Sequence, residues 1–175
     1  MAHRPDLTQI YRDHHAFVWR VVRRLGVPDA GVDDAVQEVF VVLHRRRDEL
    51  DLSGSMRGLL YGITRRVAKR SRDKASRAAR LRVVGPATAA ENPEADAATK
   101  QKAEALRTAL EDLDEDKRMT FVLADIEGMT MPEVAAAMDV NVNTCYARLR
   151  AARRKLSEAV ARHRQAEEGH VRSGT

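Results

Sequence analysis

The stretch Thr130-Met-Pro-Glu-Val-Ala-Ala-Ala-Met-Asp-Val-Asn-Val-Asn-Thr-Cys-Tyr-Ala-Arg-Leu-Arg-Ala-Ala-Arg-Arg-Lys-Leu156 reads as two short helices joined by a three-residue turn. Thr130 with Glu133 three residues on has the pairing of a capping box, and Pro132 falls in the first turn, where its missing N–H costs little. Val134, Ala135 and Met138 give that helix an apolar face. Asp139 falls at a turn position that wants a left-handed residue, which Asp tolerates better than most, and Asn141 can cap the second helix. In that second helix Cys145, Leu149, Ala152 and Leu156 recur at spacings of four, three and four, so they share one face, expected to lie against the helix before the turn. Asn143, Thr144, Tyr146, Arg148, Arg150, Arg153 and Arg154 remain outside, polar side chains first and cations after. This order suits base edges in a major groove and then phosphates, the layout of a helix-turn-helix.

Working back from that motif, Met119, Phe121, Val122, Ile126 and Met129 mark a helix closed by Gly128, and Ala103, Leu106, Leu110 and Leu113 mark another, running from about Lys100 into an acidic cluster. Before it, Val83 to Thr99 changes character: Gly85-Pro86, Asn92-Pro93, several alanines and the acids Glu91, Glu94 and Asp96 predict a flexible, mildly acidic linker. The expected organisation is all-α: a first domain over 1–82, a linker over 83–102, a helix-turn-helix domain over 103–164 and a polar, frayed tail over 165–175.

Three helices are expected in the first domain. Residues 7–26 carry Leu7, Ile10, Tyr11, His14, Phe17, Val18, Val21, Val22 and Leu25 on one stripe, with Tyr11 and Phe17 assigned to the core and Gly26 closing the helix. A second helix begins near Val32, with Asp33 and Asp34 at its positive end and Arg45, Arg46 and Arg47 at its negative end. Its apolar face is Ala35, Val36, Val39, Phe40 and Leu43, which leaves Asp34, Gln37 and Glu38 as a polar docking face. Leu50 to Gly54 reads as a loop, and a third helix from Ser55 turns Met56, Leu59, Leu60, Ile63 and Val67 inward. From Arg57 to Arg82 the chain has ten Lys or Arg against the single acid Asp73, a polyanion-binding surface by charge alone.

Composition agrees with that reading. There are 31 Lys and Arg against 26 Asp and Glu, and a net charge of +5 favours a polyanionic partner. With three Phe, three Tyr and one Trp, the cores must be small and built on Leu, Val and Ala. Cys145 is the lone cysteine, so no disulfide can form within the chain. The polar start from Met1 to Thr8 does not resemble a signal peptide, and no apolar run approaches a membrane span, so a cytoplasmic protein is expected. Carboxylates such as Asp33, Asp34 and Glu38 could be imagined as acid and base, but there is no Gly-rich phosphate loop, nucleophile motif or metal-ligand cluster, and neither an enzyme nor a cofactor is expected.

Two basic helical domains around an acidic linker, the second ending in a helix-turn-helix, resemble the two-domain sigma factors of bacterial RNA polymerase, the extracytoplasmic-function group of the sigma-70 family. Asp34-Ala-Val-Gln-Glu-Val-Phe40 is similar to the family's helix that docks on the polymerase clamp, and Arg57-Gly-Leu-Leu-Tyr-Gly-Ile-Thr-Arg-Arg66 to the segment that opens the promoter. Leu113 to Arg154 resembles the domain that reads the upstream promoter element. The resemblance implies polymerase binding by Asp34, Gln37 and Glu38, and minus-10 binding by Arg57, Arg65, Arg66, Lys69 and Arg70. It implies minus-35 binding by Asn143, Thr144, Ala147, Arg148, Arg150, Arg153 and Arg154, with core RNA polymerase, promoter DNA and an anti-sigma factor as partners. The chain departs from the family's usual residues at Leu59 and Arg66 in the opening helix, at Asp139 in the turn and at Tyr146 in the recognition helix. The rival readings are a self-sufficient helix-turn-helix regulator, which would need a dimer interface, and an interaction protein that copies a sigma factor without initiating transcription.

Overall fold

The computed structural model describes residues 6–46, 48, 54–81 and 97–173, and among these the regular structure is entirely helical. The expected linker up to Asp96, most of the Leu50 to Gly54 loop, and Arg47 and Arg82 lie outside the described residues. Among the described residues seven α-helices occur in order: α1 Leu7–Arg24, α2 Val32–Arg45, α3 Met56–Leu81, α4 Ala97–Glu111, α5 Glu115–Phe121, α6 Met131–Met138 and α7 Val142–Ser173. They form two compact units, one of residues 1–85 with 129–141, the other of 86–128 with 142–175.

In the first unit α1, α2 and α3 pack on one another around a largely apolar core. Phe17, Val18, Val21, Val22 and Leu25 come from α1 and its end, Val36, Val39, Phe40 and Leu43 from α2, and Leu60, Tyr61, Ile63 and Val67 from α3. The turn after α1 is a Schellman motif. Gly26 takes φ +77° and donates to the Arg23 carbonyl at 3.0 Å, while Val27 reaches back to Val22 at 3.5 Å. Arg72 of α3 donates to the Leu25 carbonyl at 2.6 Å, so one cation of the basic helix caps α1. Tyr11 departs from its expected place in the core: its ring meets Phe40 edge to face at 4.8 Å, yet 45% of the residue stays exposed. It lies in the second turn of α1, where its ring meets Phe40 and His15 but stays open to solvent.

The helix α6 belongs to this unit and lies against α3. Small residues permit the approach: a Cβ added at Gly58 would meet the Ala137 Cβ at 3.6 Å. Glu133 accepts from both the amide and the hydroxyl of Thr130 at 2.8 Å, which fixes the start of α6. At its end Asp139 adopts φ 55°, ψ 50°, the left-handed conformation the sequence calls for. Its amide donates to Ala136 at 3.3 Å and that of Val140 to Ala135 at 3.0 Å, a second Schellman closure.

In the second unit α7 packs on α4 and α5. The stripe Cys145, Leu149, Ala152 and Leu156 is buried as expected. Periodicity assigns this stripe to the helix before the turn; the structure packs α7 on α4 and α5, where Ala109 of α4, Leu113 of the turn between them and Met119 of α5 are buried apolar side chains. Three further expectations differ from the structure. Phe121 does not continue as an α-helix: Val122–Ile126 is a π-helical turn, with Glu127 donating to Val122 at 2.9 Å. The extra residue shifts the register, so Leu123 is fully buried while Ile126 is 43% exposed. Leu106, counted on the inward stripe, is 38% exposed. Finally, the expected frayed tail from Gln165 continues α7 as far as Ser173, because Gln165-Ala-Glu-Glu168 favours helix and no proline interrupts it.

Candidate nucleic-acid interface

The start of α7 separates its faces by helical phase. Cys145 and Leu149 are buried, and burial pushes the Cys145 thiol pKa up. Opposite that stripe, Asn143, Ala147, Arg150 and Arg154 form an exposed row, with Thr144 and Tyr146 exposed beside it. Arg154 has a loose ion pair with Glu158 at 4.0 Å.

Arg148 and Arg153 sit on the flanks of the buried stripe rather than opposite it. The Arg148 guanidinium donates to the Asp116 carboxylate of α5 at 2.5 Å, and its side chain is 21% exposed. Arg153 is gripped bidentately by Asp125 of the π-helical turn at 2.6 and 2.8 Å, and this carboxylate holds the arginine's pKa above its usual value. Each guanidinium has five N–H donors, so both retain donors to offer a phosphate. Asp116 and Asp125 are therefore partners of two candidate residues that sequence reasoning passes over. The signal is present, since Arg148 and Arg153 lie next in helical phase to the apolar stripe. Lys155 is also spoken for, donating to the Asp112 carbonyl beyond α4 at 2.7 Å.

A second cationic surface is on α3. Arg66, Lys69 and Arg70 are exposed, whereas Arg57 and Arg65 are half-buried. Arg57 lies over the Phe17 ring, 5.7 Å from its centroid. Leu59 and Arg66, with Gly58 and Gly62, line a shallow groove closed on its far side by Glu133, Ala136, Ala137 and Asp139. The Glu133 carboxyl there is held below its usual pKa, first by the Thr130 amide and hydroxyl, then by Ser55.

The polar face of α2 expected to dock is open, with Asp34, Gln37 and Glu38 all exposed. Glu38 accepts from Arg70 at 2.7 Å, which joins the docking set to the cationic set through one exposed ion pair. Gln37 also lines a groove between α1 and α2 with Tyr11, Val36, Phe40 and Val41, two of whose side chains, Tyr11 and Val41, are exposed. Among the described residues no group of three His, Cys, Asp or Glu could hold a metal ion, and no helix is long and apolar enough to cross a membrane.

A basic helical surface on one unit and, on the other, a helix with a polar then cationic outer face after a helix-turn-helix turn define a DNA-binding protein of the transcription machinery. The chain belongs to the sigma-70 family: the sigma-70 region 2 model matches residues 10–78 and the sigma-70 region 4 model residues 103–156. It is 29% identical to the RNA polymerase sigma factor CnrH of Cupriavidus metallidurans over 160 residues, 85% of this chain and 83% of the relative. CnrH in complex with the cytosolic domain of CnrY has a similar structure, with TM-score 0.66 and 26% identity over 89% of this chain and 87% of that one. The ECF sigma factor SigE of Mycolicibacterium smegmatis is 28% identical over 91% of this chain and 63% of its own length. The fold is shared with the sigma factor RpoE of Bartonella quintana, solved with the anti-sigma factor NepR, at TM-score 0.71 and 19% identity over 88% and 96% of the two chains. The chain is thus an extracytoplasmic-function sigma factor, which directs RNA polymerase to promoters.

Proposed function

We propose that the three surfaces divide the work of initiation. Asp34, Gln37 and Glu38 on α2 bind core RNA polymerase. Arg57, Arg65, Arg66, Lys69 and Arg70 on α3 hold the minus-10 strand through its phosphates once it is unpaired, at a cost of a few kcal/mol that strand contacts offset. Asn143, Thr144 and Ala147 meet bases of the minus-35 element, Arg150 and Arg154 its phosphates, and Arg148 and Arg153 add phosphate contacts from the flanks with the donors that Asp116 and Asp125 leave open. The chain works in the cytoplasm without catalysis of its own or a cofactor. An anti-sigma factor holds it inactive, in line with the complex of its structural relative RpoE.

The observation that carries this reading is the exposed row Asn143, Ala147, Arg150 and Arg154 opposite a fully buried stripe on one helix. Run-off transcription with purified core polymerase and fragmented genomic DNA tests it. Defined new start sites that depend on the chain are expected, with two shared upstream elements among the templates. Tight DNA binding by the chain alone, with no transcripts, would instead establish the self-sufficient regulator.

A further inference from the structure

The outer face of α7 presents one large apolar surface to solvent among its polar groups. Tyr146 is 50% exposed, the only large hydrophobic residue on this helix that is exposed among the described residues. Among the described residues its ring meets no other ring, in contrast to Tyr11, which meets both Phe40 and His15. Its neighbour Cys145 is fully buried, so the backbone that carries the ring is fixed by the core. Ala147 beside it is small and exposed, which lets the helix approach a base edge closely. One turn on from Tyr146, Arg150 is exposed.

The carbon face of an exposed aromatic ring at the N-terminal end of a recognition helix does not pair with phosphate charge. It gains from apolar contact in the groove, where the 5-methyl of thymine is the apolar group that base pairs offer. We propose that Tyr146 is a specificity-determining residue of this sigma factor: its ring packs against the methyl group of one thymine in the minus-35 element, and its hydroxyl donates to a neighbouring phosphate. This rests on the reading of α7 as the minus-35 helix. Arg150 supplies affinity on this side of the helix, and Tyr146 supplies discrimination.

The test uses the full chain assembled with core polymerase on a promoter found by the run-off experiment, and a set of templates in which each minus-35 thymine in turn is replaced by deoxyuridine. Tyr146→Ala is expected to weaken binding about tenfold on the thymine template, the loss typical of one mismatched pair. At one position the deoxyuridine template should already be weak for the parent chain, and there Tyr146→Ala should lose no more than the few-fold that Tyr146→Phe loses. Tyr146→Phe should keep the thymine preference and lose a few-fold on all templates. The dependence of binding on salt should be unchanged by Tyr146→Ala and reduced by Arg150→Ala. A loss with Tyr146→Ala that is equal on every template, or no loss at all, overturns the proposal. Asn143→Ala and Arg150→Ala separate the two levels: if they weaken minus-35 binding while Tyr146→Ala does not, only the role of Tyr146 falls, and if none of the three matters the assignment of α7 falls with it. Because Tyr146 is outside the core, an unchanged melting curve confirms that each variant is folded.

Discussion

Arg148 and Asp116 are joined at 2.5 Å with side-chain exposures of 21% and 37%, a pair better shielded from solvent than the open-surface pair of Arg70 and Glu38 at 62% and 49%. Pairs at the open surface contribute about 0 to 1 kcal/mol, so the Arg148 pair belongs near the upper end of that range. Asp116→Asn is expected to destabilise the second unit by about 1 kcal/mol, seen as a melting midpoint lower by a few degrees. An unchanged midpoint would show that Asp116 only lies beside Arg148. At His14 the physics is titration. Burial first, and then the charge of Arg57, hold its imidazole pKa below the usual histidine value, against the opposing pull of Asp13. With the folded value depressed, the unfolded chain binds the proton more readily, so stability is full above the unfolded pKa of about 6.5 and is lost as pH falls below it. Unfolding in urea at pH about 7.5 and about 5.5 should show the first unit weakening with acid, and His14→Gln should reduce that difference. An equal slope in the variant would assign the effect to other groups.

At the scale of elements, α6 approaches α3 where Gly58 on one faces Ala137 on the other, residues too small to hold the helices apart. The 3.6 Å between an added Gly58 Cβ and the Ala137 Cβ matches the roughly 3.5–4.5 Å that a disulfide spans. Gly58→Cys combined with Ala137→Cys is therefore expected to close a disulfide under mild oxidation, while buried Cys145 with its raised thiol pKa stays unreacted. Thiol titration and a reductant-sensitive mobility shift would report it, and two free engineered thiols after oxidation would place α6 elsewhere. The end of α1 combines local and distant chemistry at one terminus. Gly26 supplies the left-handed turn, as its place after Leu25 announces, but the cap from Arg72 arrives from 47 residues away.

For the whole molecule, a net charge of +5 understates the polarity of its surfaces, because the cations concentrate on α3 and α7. If the two serve different promoter elements, neutralising Arg65 and Arg66 together should impair strand opening more than upstream binding. Permanganate footprinting of the bubble, beside a gel-shift titration, would separate the two, and equal losses in both would deny the division of labour. Sequence alone determined the helical class, the ends of α1, α2 and α6, the left-handed Asp139 and the buried stripe of α7, because capping, turn chemistry and apolar spacing act within a few residues. Tertiary structure decided the rest. Arg148, Arg153, Glu38 and Arg72 found partners 28 to 47 residues away, Tyr11, Leu106 and Ile126 were left uncovered, and α6 came to lie on α3. Periodicity tells which face of a helix is apolar, but the neighbour that covers it, and the acid that meets a flanking arginine, depend on how distant segments pack.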